Sequence, residues 1–114
     1  MTRFDVVLVP FPFTNLKTAK KRPCLVLHDF KPDALNKHVI VSMMTSNTKS
    51  YSFPHDVSVT DLEAAGLPKE TIIRLSKVVT LDAEMIEKQL GSLSSKDQKK
   101  VTKCELKYAK TTKT

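Results

Sequence analysis

The chain has no tryptophan, and only two glycines and two cysteines in 114 residues. Two thiols cannot build the multi-bridge framework of small secreted domains. Cys24 and Cys104 fall in a strand-like and a helical run, so both are expected reduced and buried, in a cytoplasmic protein. No apolar run approaches the roughly 20 residues of a membrane span, so a soluble chain with no membrane partner is expected. Met1-Thr-Arg-Phe-Asp5 passes straight into a strand-like run, without the apolar stretch of a signal peptide. His28, His38 and His55 stand singly and no Cys/His cluster has zinc-ligand spacing, so neither a metal nor another cofactor is expected. There is no internal repeat or linker either. Residues 1–114 are expected to form one domain, of a size that buries roughly two-thirds of the surface exposed when unfolded.

Positive charge, by contrast, is plentiful: 19 basic against 12 acidic residues give a net charge of +7. Residues 1–50 hold eight basic and three acidic groups, residues 51–95 four and seven, and residues 96–114 seven and two. A basic front and a basic tail therefore flank an acidic middle, a surplus suited to a polyanion or an acidic protein segment. The tail, with Lys96, Lys99, Lys100, Lys103, Lys107, Lys110 and Lys113, reads as a solvated helix face.

Short runs rich in β-branched residues predict strands at Val6–Val9, Cys24–His28, Val39–Met43 and His55–Val59. Two more fall at Thr71–Leu75 and Lys77–Leu81, or form a single strand bent at Ser76. Pro10 and Pro12 make the first an irregular edge, and Thr14–Arg22 reads as a basic surface loop carrying four positive charges. Thr60-Asp-Leu-Glu63 has capping-box spacing for a short helix ending at Gly66, before Pro68. Asp82 is expected to cap a helix through Leu90, closed by Gly91. A last helix is expected from Ser94, with Val101, Cys104 and Tyr108 as its apolar stripe. Short strands with irregular loops and late helices indicate a mainly β, small barrel-like fold rather than a parallel sheet.

Two of these runs place chemistry at their ends. Arg22-Pro23 precedes the run Cys24–His28, and Thr45-Ser46-Asn47 follows the run His38–Met43. If both lie in one sheet, a permanently charged guanidinium and a hydroxyl donor meet at one edge, a pair suited to a phosphodiester and hence to nucleic acid. RNA carries its own nucleophile, the 2′-hydroxyl, so its cleavage needs a base, an acid and donors for the phosphorane charge, and no metal. Arg22 fits the last role; its competing role is a structural pair with a carboxylate such as Asp5. Thr45, on sequence alone, is better read as a turn threonine bonding its own backbone. Ser46 and Asn47 are candidates for the same donor role or for base edges, His28 for acid–base work, Lys17, Lys20 and Lys21 for phosphates, and Phe13 for base stacking.

Asp5-Val-Val-Leu-Val-Pro-Phe-Pro-Phe-Thr14, Lys21-Arg-Pro-Cys-Leu-Val-Leu27, Thr45-Ser-Asn47, Leu67–Leu81 and Leu90–Ser94 together resemble the MazF/PemK toxins of bacterial toxin–antitoxin pairs, over most of the chain. The resemblance implies an SH3-like barrel with a C-terminal helix, usually a homodimer. It also implies a metal-independent endoribonuclease that cuts single-stranded RNA to 2′,3′-cyclic phosphate and 5′-hydroxyl ends. Arg22 and Thr45 take the family's catalytic arginine and threonine positions, the loop Thr14–Lys21 matches the segment bordering the RNA groove, and the partner is an acidic, partly disordered antitoxin. The chain departs from the family at Phe4, where members often have glycine, so the turn that glycine permits has to be met differently. It departs again at Ser76, where they often have an acid. Two alternatives keep the fold and change the function: a non-catalytic toxin that binds a protein such as DNA gyrase, and an inactive RNA-binding relative.

Overall fold

The structure, a computed structural model, describes residues 1–11, 20–30, 37–48 and 53–111, without the side chains of Phe11 and of residues 108–111. The described residues form six strands: β1 (Asp5–Phe11), β2 (Lys20–Asp29), β3 (His38–Thr45), β4 (Asp56–Ser58), β5 (Ile72–Asp82) and β6 (Lys88–Ser92). Helix α1 (Leu62–Ala65) precedes β5 and helix α2 (Ser95–Thr111) follows β6. All pairings are antiparallel, in the order β4-β5-β3-β2-β1-β6. The result is the expected mainly β fold, a curled half-barrel sheet with a C-terminal helix. Among the described residues no helix is long and apolar enough to cross a membrane.

Period-two alternation gives the sheet two apolar faces. Val6, Leu25, Met44 and Ile73 pack on the face that carries Val101 of α2. Val7, Val9, Cys24, Val26, Val39, Val41 and Leu81 pack on the other. Both strand candidates around Ser76 belong to the single strand β5, and the ladder with β3 shifts register between Ser42 and Met43, opposite the bend.

Local chemistry sets α1, with one correction. Its N-cap is Asp61, whose carboxylate accepts from the Ala64 amide at 3.0 Å, and not Thr60. Thr60 is taken up elsewhere: its hydroxyl donates to Asp97 at 2.6 Å. Gly66 closes the helix with φ 71, as expected.

The helix expected from Asp82 to Leu90 is absent. Ala83–Met85 make one 3-10 turn, Asp82 makes no side-chain cap bond, and Lys88–Ser92 extend instead as β6 along β1. Pairing decided this against local propensity, because β1 would otherwise leave a row of backbone groups unpaired. Gly91 belongs to that strand, where it pairs with Val6; a Cβ there would lie 2.4 Å from the Ala64 carbonyl oxygen. Gly91→Ala is therefore expected to force β6 from α1 and destabilise the fold by roughly 1–3 kcal/mol, the scale of overpacking. An unchanged urea midpoint would refute that close approach.

Phe4 meets the departure from glycine by adopting the left-handed conformation itself, at φ 77. Strain of about 1–2 kcal/mol is offset by its surroundings. The Phe4 amide donates to Val26, its carbonyl accepts from Leu93, and the Arg3 guanidinium lies 4.3 Å from the ring centre.

Candidate functional site

β2 and β3 pair antiparallel with Cys24 opposite Met43 and Leu25 opposite Ser42. Counting two residues on from Cys24 and Met43 brings Arg22 level with Thr45, and both belong to the face of Cys24 and Met43. Residues opposite one another in such a pair sit about 5 Å apart at Cα. Val9 of β1 pairs with Arg22 and Ile72 of β5 pairs with Thr45, so the row crosses four strands. Arg22 and Thr45 are both half-buried. A bulge between Val26 and His28 absorbs the register shift further along β2, away from this end.

The carboxylate considered for Arg22 is occupied elsewhere. Asp5 accepts from the Thr2 amide at 2.8 Å and from the Ser92 hydroxyl at 2.6 Å. Among the described residues no ion pair or hydrogen bond engages the Arg22 guanidinium. Its charge still reaches Cys24, whose thiol is pushed up to about 12 by burial, with Arg22 offsetting part of that rise. Cys24 therefore stays a neutral thiol and offers no nucleophile at physiological pH.

Thr45 closes β3 in a tight turn, its Oγ1 accepting from the Asn47 amide at 3.1 Å. The backbone contact weighed from sequence is thus present, but it uses the oxygen as acceptor. It fixes the side chain and leaves the hydroxyl proton to be donated. Ser46 and Asn47 are exposed beside it.

The remaining candidates divide. Lys20 is exposed and alternates onto the face of Arg22. Lys21 points to the other face and pairs with Glu87 at 2.8 Å, an exposed contact worth well under about 1 kcal/mol. His28 is not brought to this end: it lies six residues along β2, about 20 Å by strand rise, with its ring edge-on to Phe30 at 4.4 Å. Phe13 and Lys17 lie outside the described residues, as does most of the basic loop. No group of three or more metal-ligating side chains occurs among the described residues. A cavity of about 500 Å³ lined by Leu27, Leu75, Ser76, Val78 and Glu105 opens on the α2 side, away from Arg22.

Sequence reasoning missed one cluster next to this row. Arg74 of β5 pairs with Met43 and with Asp56 of β4, two residues along from Ile72. Its guanidinium meets Asp56 through Nε–Oδ1 and Nη2–Oδ2, both at 3.2 Å, with both side chains about 90% buried. The same guanidinium stacks 4.2 Å from the centre of the Phe53 ring, and Lys77 Nζ approaches that ring at 5.2 Å. A lone charge inside the apolar run Thr71–Leu75 was the available signal.

A family model described as PemK-like, MazF-like toxin of type II toxin-antitoxin systems matches residues 2–105. Among solved structures, a mycobacterial endoribonuclease in complex with its cognate antitoxin superposes with TM-score 0.72 at 13% identity, over 96% of this chain and 94% of its own. MazF of Deinococcus radiodurans gives 0.69 at 18% identity, over 96% of each chain. The MazE-MazF complex of the same organism gives 0.68 at 16%, over 96% and 94%. At such identities the likeness is one of fold. No curated protein matches the sequence.

Proposed function

We propose a function from one premise: this chain belongs to the PemK-like, MazF-like toxins of type II toxin-antitoxin systems, the family whose model spans residues 2–105. The reading is a metal-independent endoribonuclease acting on single-stranded RNA. What supports it is the β2–β3 register, which, extended two residues past its last pair of Cys24 with Met43, sets Arg22 level with Thr45 on one sheet face, with no partner for the guanidinium among the described residues.

In this reading the RNA 2′-oxygen attacks the adjacent phosphorus and the P–O5′ bond breaks. The products are a 2′,3′-cyclic phosphate and a 5′-hydroxyl, with one proton leaving the 2′-oxygen and one reaching the 5′-oxygen. Arg22 offers paired donors to the two non-bridging oxygens as the phosphorane gathers negative charge. Thr45 adds a hydroxyl donor held in place by the Asn47 amide. The attacking group belongs to the substrate, so no metal-bound water has to be generated. Lys20, Ser46 and Asn47, exposed around the pair, contact the flanking phosphates and bases. The basic first half of the chain also suits an acidic antitoxin lying along the same surface.

Incubation with single-stranded RNA in excess chelator is expected to yield cyclic-phosphate ends. Thr45→Ser is expected to stay within about tenfold of the native rate and Thr45→Val to fall about 10²-fold, the loss of one transition-state donor. Growth arrest with intact RNA would overturn the reading in favour of a protein target, and binding without cleavage in favour of an inactive relative.

A further inference from the structure

We infer that the outer face of α2 is a second RNA-binding surface, a lysine rail that holds the phosphate backbone of a strand outside the Arg22–Thr45 site. It rests on the part of the reading above that makes RNA what this chain binds. Lys96, Lys99, Lys103 and Lys107 are all exposed. At the 100° step of an α-helix they fall within an arc of about 80°, over a length of about 16 Å. Val101 is fully buried, on the opposite side of the helix.

What separates this face from an ordinary solvated one is that neither acid of α2 lies on it: at the same 100° step Asp97 and Glu105 fall about 40° to either side of Val101, and both are engaged there. Asp97 is fully buried, accepting from the Thr60 hydroxyl and from the amides of Thr60 and Asp61. Glu105 is paired with Arg3. Neither is left to neutralise the rail, and Lys99, Lys103 and Lys107 follow at i, i+4 as like-charge neighbours that repel one another. A polyanion relieves that repulsion and releases its own counterions in doing so. Nucleic acid fits better than a protein partner, because protein interfaces are depleted in lysine and built around apolar anchors. Lysine is moreover a point charge, suited to a backbone rather than to bases. α2 packs on the sheet face opposite to that of Arg22, so the rail is separate from the site.

The test uses a 24-nucleotide RNA strand methylated at every 2′-oxygen, which keeps the phosphates and cannot be cleaved. Fluorescence anisotropy across a salt series is compared for the native chain, for Lys99→Gln/Lys103→Gln/Lys107→Gln, and for the charge-matched control Lys37→Gln/Lys69→Gln/Lys88→Gln. The rail variant is expected to bind at least about tenfold more weakly near 0.1 M salt. Its log K against log salt slope should be smaller by about 2, at roughly 0.7 per lysine on a single strand. The control is expected to lose markedly less. Equal losses in both variants would reduce the rail to net charge and overturn it. Unchanged RNA affinity with lost binding of poly-glutamate would overturn it in favour of an acidic protein. Cleavage of a short RNA that cannot reach α2 is expected to be unaffected by the rail variant. A chain that binds along α2 and never cuts would remove the ribonuclease reading and leave the rail standing.

Discussion

Arg22→Ala is expected to lower single-turnover RNA cleavage by about 10²–10³-fold, the scale for removing one preorganised donor from a developing oxyanion. The loss should appear in the chemical step. Affinity for an uncleavable strand should fall by less than about tenfold, since one phosphate contact of several is removed. Arg22→Lys is expected to recover little, because a single ammonium cannot meet two phosphate oxygens as a planar fork does. Stability should hardly change. Arg22 is half-buried near the start of β2 and, among the described residues, has no ion-pair partner to strand. That combination distinguishes a catalytic arginine from a structural one. A variant that cleaves within tenfold of the native rate, or one that loses several kcal/mol, would return Arg22 to a structural role.

Arg74 gives the contrasting case. It is a second arginine on the same sheet face, but its carboxylate partner Asp56 is itself about 90% buried. Truncating either member leaves a charge stranded, so both substitutions should cost stability before activity. Cleavage lost in Arg74→Ala would have to be read against the folded fraction.

How far the sequence discloses this arrangement depends on the range of the forces involved. The centres of strands β1 to β5 were legible because their residues alternate or are β-branched, and the end of α1 because Gly66 acts within a turn. β1 is nevertheless not the irregular edge expected from Pro10, since it lies between β2 and β6, and β2 begins at Lys20, inside the run expected as a loop, because Lys20, Lys21 and Arg22 pair with Phe11, Pro10 and Val9. β6 was not legible. Glu87-Lys88-Gln89-Leu90 has ordinary helix formers, and only the presence of β1 alongside makes it extended. The ends of β2 and β3 were visible as Arg22 and Thr45, whereas their level placement depends on register and on the bulge near Val26. His28 illustrates the same gap. Its residue type suits acid–base work, but nothing local tells which end of the strand holds the site. The two acids of α2 are the sharpest example. Periodicity already sets them off the lysine face, about 40° to either side of Val101, whereas their partners Thr60 and Arg3 are supplied only by the fold.

Asp97 is for that reason where the largest loss of stability is expected. Its carboxylate is fully buried and accepts from the Thr60 hydroxyl at 2.6 Å, the Thr60 amide at 3.1 Å and the Asp61 amide at 3.0 Å. Lys100 stands at 3.6 Å, and the Asp97 amide donates to the Ser94 hydroxyl at 3.2 Å, which caps the helix. One side chain thereby ties the first turn of α2 to the segment between β4 and α1. Asp97→Ala leaves two amides and a hydroxyl without an acceptor, at about 1–3 kcal/mol for each group that water cannot reach. A total of roughly 3–5 kcal/mol is expected. Asp97→Asn should rescue little, since its amide group turns donors toward donors. For a domain of this size, a melting midpoint lower by on the order of 10–20 °C would follow.

The pH dependence carries a definite sign. Burial pushes the Asp97 carboxyl up, but the Thr60 hydroxyl, the Asp61 and Thr60 amides and Lys100 together outweigh it and hold the group below its ordinary value. A depressed carboxyl stabilises the fold above its unfolded pKa, near about pH 4, and the contribution is lost as pH falls through the folded value. The gap in stability between native and Asp97→Asn chains should therefore be flat from neutrality down to about pH 4 and narrow below it. Amide exchange should open first in α2 and at Thr60 and Asp61 in the variant, with β2 and β3 still protected. A gap that widened in acid, or a loss under about 1 kcal/mol, would mean that Asp97 does not bind α2 to the sheet. The lysines on its outer face would then lack a fixed platform.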